Sequence, residues 1–301
     1  MIPLESTFLR GSYTPVVTPF RDGKVDLDQF AKLIEQQIEG GSHGVVIAGT
    51  TGEATSLSIK ERSELFTIAV KSSAGRIPVV AGCGAGSYEE TMQLSAAAEK
   101  SGVDALLVVT PYYIRPPQGG LTEYFIQIGR RTSLPMLIYH IPGRAAVSVT
   151  AETVTRIADA VPHLVGIKHA SSELDLVTEL LIRLGPDFRV FCGLESLSLP
   201  MLAVGAAGVM NAVGNLDPKR VAALCNAASG GRWDEARKIH YELFSIAQAI
   251  FLDTNPIPLK YMMKRVGLLP SDEVRLPLVS INSGREKILD DVLRRTGLLD
   301  H

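Results

Sequence analysis

Eight short apolar segments recur along the first two thirds of the chain, alternating with stretches of helical length and pattern, and this beat limits the possible folds more than any other feature. The segments cover residues 11–18, 43–48, 77–83, 104–109, 135–140, 164–168, 189–192 and 208–210. Helices are predicted over 26–39, 58–73, 87–101, 121–131, 150–160, 174–184 and 197–204, with Asp26, Ser87 and Thr150 placed as N-caps. Near-continuous apolar strands between helices build a parallel sheet covered by those helices. At 301 residues the simplest closure is an α/β fold of the (β/α)8 TIM barrel type, with an open doubly wound sheet as the competing arrangement. The run Gly82-Cys83-Gly84-Ala85-Gly86 follows the third strand, not the first, and lacks dinucleotide-binding spacing, so it is a tight βα turn.

The beat stops near Ala227, which divides the chain into a catalytic barrel, 1–226, and a C-terminal helical region, 227–301, packed on it. Gly230-Gly231 marks the change, and helices are predicted over 232–252, 258–266 and 284–295. The first of these carries Trp233, Ala236, Ile239, Leu243 and Ile246 at helical spacing, a stripe expected to pack on the barrel.

Composition enters as a set of exclusions. A net charge of −2 with scattered Lys and Arg predicts neither a nucleic-acid partner nor a membrane surface. No apolar run has the length of a bilayer span, and the start MIPLESTFLRG lacks a basic residue ahead of an apolar core, so a cytoplasmic location is expected. Cys83, Cys192 and Cys225 are widely spaced in apolar surroundings and read as reduced core residues. The six histidines are dispersed without metal-ligand spacing, so no metal is expected.

Reactive groups collect at the strand ends, which form the active face of a barrel. The second strand ends in Gly49-Thr50-Thr51-Gly52-Glu53, the fourth in Thr110-Pro111-Tyr112-Tyr113, the fifth in Tyr139-His140-Ile141-Pro142-Gly143-Arg144, the sixth in Lys168. Of eleven lysines, Lys168 alone interrupts an apolar strand; the other ten sit in segments where an ammonium reaches water. A buried ammonium is costly, and a lysine in such a setting that loses its proton becomes a nucleophile toward carbonyls. A lysine that snorkels out or pairs with a carboxylate fits the strand context as well. If Lys168 points inward, alternation turns His169 outward, and the neighbouring strand then sets Tyr139 beside the lysine with His140 outside. That phenol could shuttle protons or be an ordinary buried tyrosine. Thr50 and Thr51 can bind a carboxylate or simply end a strand, and Arg144 can bind a carboxylate or be solvated.

Taken together, GTTGE, TPYY, YHIPGR, GIK, NPIP-K and RLPL closely resemble the dihydrodipicolinate synthases of the N-acetylneuraminate lyase-like class I aldolase family, from about Phe8 to Ile281. The resemblance implies a metal-independent lyase that holds pyruvate as an imine on Lys168 and condenses it with aspartate semialdehyde, with no cofactor. It implies Tyr139 as proton shuttle, coupled to Thr51 and to Tyr113 of a neighbouring subunit. Thr50 and Thr51 would bind the pyruvate carboxylate, Arg144 that of the second substrate, and Gly193 and Met210 would line the pocket. A homotetramer built from dimers is implied as well. The competing functions are a paralogous pyruvate-dependent aldolase, a 2-keto-3-deoxy-sugar-acid lyase or dehydratase, and a non-catalytic keto-acid-binding barrel. Arg144 favours the synthase reaction.

Several positions depart from the family pattern. His140 stands where Asn is usual and His169 where Glu or Asp is usual, and Gly193-Leu194-Glu195 replaces Gly-Asp-Asp/Glu. The two histidines are expected on the outer layer of adjacent strands, as a mutually compensating pair. Gly86, Ala54, Ile59 and Arg62 replace residues usual in lysine-sensitive relatives, although Tyr112 and Glu90 match, so lysine inhibition is expected to be weak or absent.

Overall fold

The computed structural model describes residues 1–299. Eight parallel strands close a barrel in sequential order: β1 Gly11–Pro15, β2 Gly44–Ile47, β3 Val79–Gly82, β4 Ala105–Val109, β5 Met136–His140, β6 Leu164–His169, β7 Arg189–Cys192 and β8 Gly208–Val209. The helices between them are α1 Leu27–Glu39, α2 Ile59–Ser73, α3 Tyr88–Ser101, α4 Gln118–Gly129, α5 Ala151–Ala160, α6 Leu174–Leu184, α7 Ser198–Val204 and α8 Pro218–Ser229. The closed barrel expected from the beat is therefore present, and the open sheet is not. Closure between β8 and β1 depends on Gly208, where a Cβ would lie 2.0 Å from the Gly11 carbonyl oxygen.

Asp26, Ser87 and Thr150 each accept a backbone N–H at a helix start, as predicted. Alternation sorts the strands into two layers. Tyr13, Val46, Leu107, Leu137, Phe191 and Tyr139 fill the barrel interior, while Val45, Ile47, Val108, Ile138, Ile167 and Val190 pack outward against the helices. Three more helices, α9 Trp233–Ala249, α10 Ile257–Arg265 and α11 Ser283–Arg295, share that outer apolar layer through Leu243, Ile246, Leu259, Met262 and Leu289. Helix α8 continues across position 226/227 and ends against Gly230.

Some local features differ from the expectation. Trp233 is 39% exposed, so the buried stripe of α9 starts at Ala236. A two-stranded ribbon, Phe20–Arg21 with Lys24–Val25, and a short helix, Pro142–Ala145, are both additions to the predicted elements. Each is too short to show periodicity.

Candidate active site

The ends of β2 to β5 and the segments 254–255 and 277–278 enclose a cavity of about 630 Å³. Thr50, Tyr112, Tyr113, Tyr139 and Arg144 line it, with Glu53 and Arg62 in the same wall. Lys168 and Tyr139 are paired residues across β5 and β6, and both side chains turn inward. Lys168 Nζ sits 4.3 Å from the centre of the Tyr139 ring, and the residue is 4% exposed. Among the described residues no carboxylate lies within ion-pairing distance of that nitrogen. The Tyr139 hydroxyl is 3.2 Å from Thr50 Oγ1. Amine, phenol and threonine thus form one contact chain leading from the barrel floor into the cavity.

Two expectations need correction here. The hydroxyl coupled to Tyr139 belongs to Thr50 and not to Thr51, whose Oγ1 instead accepts from Asn255 Nδ2 at 3.0 Å. Both threonines lie beyond the last residue of β2, in a turn where Ala48 and Glu53 have φ near +55°, so strand alternation no longer assigns their directions. Lys168 is also not the only dry lysine. Lys260, on α10, has a fully buried side chain and donates to Glu53 Oε1 and to the Glu273 carbonyl, each at 2.6 Å. Burial lowers its pKa, and the Glu53 carboxylate opposes that shift. The two buried lysines divide cleanly: Lys260 is paired with a carboxylate, and Lys168 has no carboxylate partner among the described residues.

The remaining predicted residues are spread around this chain of contacts. Arg144 is exposed at the mouth and donates to the Asn255 carbonyl at 3.3 Å. Tyr113 is 91% exposed with φ of +76°, and makes no hydrogen bond to Tyr139 within the chain. Gly193 abuts the lysine stem: a Cβ there would lie 3.0 Å from Lys168 Cε and 2.8 Å from Ala170 Cβ. Met210 is buried in the interior cluster with Tyr139. Asn255, Glu53 and Lys260 are site supports that the sequence reasoning assigned no role. Their signal was the NPIP-K tag, which carries two of the three. Glu195 is another: its Oε1 accepts from the Ala212 N–H at 2.6 Å, tying the segment after β7 to the one after β8. Burial raises the pKa of that carboxyl, and the hydrogen bond from the Ala212 N–H opposes the shift.

His140 and His169 lie one residue beyond the tyrosine and the lysine and are both fully buried on the outer side, as expected. Burial lowers both pKa values, and that of His140 is pushed down to about 4. The unfolded chain therefore binds this proton first, and stability falls as pH drops. Between pH 6.5 and about 4, His140 alone accounts for a loss of about 3 kcal/mol. Denaturant titrations at pH 7 and pH 5 check this: His140→Asn should shrink the difference, the share due to His169 remaining, and an unchanged difference would contradict the assignment.

Among the described residues, no group of three or more His, Cys, Asp or Glu side chains is arranged to hold a metal ion, and no helix is long and apolar enough to cross a membrane. Residues 8–296 match the model of the dihydrodipicolinate synthetase family. The chain is 43% identical over 291 residues to a 4-hydroxy-tetrahydrodipicolinate synthase of Thermus thermophilus, covering 96% of this chain and 97% of the relative. It is 42% identical over 289 residues to the enzyme of that name from Oleidesulfovibrio alaskensis, covering 96% and 99%. A crystal structure of dihydrodipicolinate synthase from Aquifex aeolicus superimposes with a TM-score of 0.94 at 37% identity, covering 97% of this chain and all of that one. With a barrel, a free inward lysine and a matched span that runs almost from end to end, this chain belongs to the dihydrodipicolinate synthetase family.

Proposed function

We propose that the protein is a lyase of the class I aldolase type that condenses pyruvate with L-aspartate 4-semialdehyde to give 4-hydroxy-tetrahydrodipicolinate. The observation that carries it is the unpaired Lys168 amine over the ring of Tyr139, which lines the cavity. The neutral amine attacks the pyruvate ketone, and the carbinolamine loses water to give an imine. The protonated imine nitrogen draws electrons from the adjacent bond, so a methyl proton leaves and an enamine forms. Its carbon adds to the aldehyde, whose oxygen takes up a proton. The amino group of the second substrate then attacks the imine carbon, closes the ring and releases Lys168.

Tyr139 is assigned the proton transfers, because its hydroxyl has a partner in Thr50 that can accept or donate. Thr50 and Thr51 are assigned to the pyruvate carboxylate, and Arg144, held at the cavity mouth, to the carboxylate of the aldehyde. Gly193, against the lysine stem, and Met210, in the interior cluster with Tyr139, are assigned to the pocket floor. The exposure of Tyr113, beside an Ile114 that is exposed as well, supports its insertion into a second subunit, so the partner's Tyr113 would join the Thr50–Tyr139 pair. A cytoplasmic homotetramer built from such dimers is the assembly we assign. None of these steps calls on a cofactor.

Two measurements test the assignment. Borohydride reduction with pyruvate, followed by peptide mass spectrometry, should place one adduct on Lys168; no adduct would end every lyase reading and leave a keto-acid-binding barrel. A coupled assay with aspartate semialdehyde, run against a panel of 2-keto-3-deoxy sugar acids, should show turnover with the former. Turnover with a sugar acid alone would assign the protein to a paralogous aldolase or dehydratase.

A further inference from the structure

Behind the site, His140 Nδ1 and His169 Nδ1 face each other at 3.0 Å, with the two rings stacked at 5.1 Å between centres. Partners assign the protons. His169 Nε2 lies 3.1 Å from the Glu173 carbonyl, which only accepts, so that nitrogen carries the hydrogen. In neutral His169, Nδ1 is then the bare acceptor, and the hydrogen between the rings belongs to His140 Nδ1. His140 Nε2 is left bare, and no donor reaches it. The bond therefore has one direction, set by a main-chain carbonyl at the entrance to α6.

Its place in the sheet gives it a task. The register of β5 and β6 slips between Met136 and Leu137, so rungs below the slip do not fix the alignment above it. Above the slip only Leu137–Gly166, Ile138–Ile167, Tyr139–Lys168 and His140–His169 remain paired, and Gly166 offers no side chain for cross-strand packing. The histidine pair is the last rung, and the rung before it is the catalytic pair itself.

We propose that the His140–His169 hydrogen bond is a positioning clamp that sets how Tyr139 and Lys168 stand relative to each other. The clamp rests on the imine chemistry assigned above and deepens it. Neither histidine meets substrate; both act through the side chain one residue earlier on the same strand. A shift of the order of 1 Å between amine and phenol is enough to slow a proton-coupled step about 100-fold, so loss of the side-chain bond that braces the last rung should register in rate more than in binding.

A three-variant series separates the clamp from simple packing. His140→Phe keeps the ring but removes the donor, His140→Asn keeps a short donor but removes the ring, and His140→Ala removes both. Rapid-quench borohydride trapping with pyruvate gives the rate of imine formation and the apparent affinity from the same data. Phe and Ala should slow trapping about tenfold with affinity unchanged within about twofold, and Asn should recover most of the rate. A Phe variant as fast as wild type, or an Asn variant as slow as Phe, would overturn the clamp; if Ala does not fold, the other two still decide. Independently, nitrogen-15 NMR of wild-type imidazoles should find His140 protonated on Nδ1 and His169 on Nε2, and the opposite tautomers would refute it. Wild-type protein that traps no adduct would defeat the functional assignment, while the NMR result would still decide whether the bond exists.

Discussion

Replacing Lys168 with Met should abolish the pyruvate adduct and lower turnover by about 1,000-fold or more, equivalent to about 4 kcal/mol of transition-state stabilisation. Lys260, the other buried lysine, cannot stand in: it is held by Glu53 Oε1 and the Glu273 carbonyl, and its departure would leave the buried Glu53 carboxylate without its counter-charge. The fold should survive the change, because among the described residues Lys168 has no ion-pair partner to orphan, and its stem lies against Gly193. Methionine has similar length and no charge to desolvate, so the unfolding midpoint should hold or rise slightly. Borohydride trapping and a melting curve on the same preparation check both halves. An adduct that persists on the variant would show that another residue forms the imine. A collapse in stability with activity lost would assign Lys168 a structural role.

The barrel was legible in the sequence because each strand is buried on both sides and so reads as an unbroken apolar run, while capped helices mark the intervals. Lys168 was legible for the same reason: one charge in such a run contradicts its surroundings. Tyr139 followed from pairing the ends of β5 and β6, and the observed register, Tyr139 opposite Lys168 and His140 opposite His169, agrees with that pairing. Legibility ended where regular structure ended. The choice between Thr50 and Thr51 depends on a turn with left-handed residues at both sides, which no periodicity encodes. Lys260 was misjudged because a short helix with Lys260, Lys264 and Arg265 resembles a solvated one; Lys264 and Arg265 are indeed partly exposed, yet Lys260 is sealed by residues over 200 positions away. The ribbon at Phe20 escaped notice too, and its ring is the surface on which Lys260 Nζ and the Arg275 guanidinium rest, at 4.3 Å and 4.5 Å.

Lys260→Met should cost about 3–5 kcal/mol of stability, the penalty for leaving a buried carboxylate without its counter-charge. Glu53 would retain only the Arg275 N–H, at 3.1 Å from Oε2, with its side chain still sealed from water. Removal of a surface pair should cost far less. Lys60 and Glu64, 3.9 Å apart with 85% and 43% of their side chains exposed, provide the comparison, at about 0.5 kcal/mol or below. The double variant Lys260→Met with Glu53→Gln decides the cause. A neutral amide still accepts from the Arg275 N–H and has no charge to strand, so most of the lost stability should return. If the double variant is as unstable as Lys260→Met alone, the damage comes from the lost contacts to Phe20 and the Glu273 carbonyl, and the ion pair is not the cause. Turnover measured well below the melting point gives a second reading. Glu53 ends the turn that presents Thr50 to Tyr139, and its carboxylate anchors that turn to α10. The double variant, stable but with a weaker anchor, should therefore turn over more slowly than wild type even at temperatures where both are fully folded.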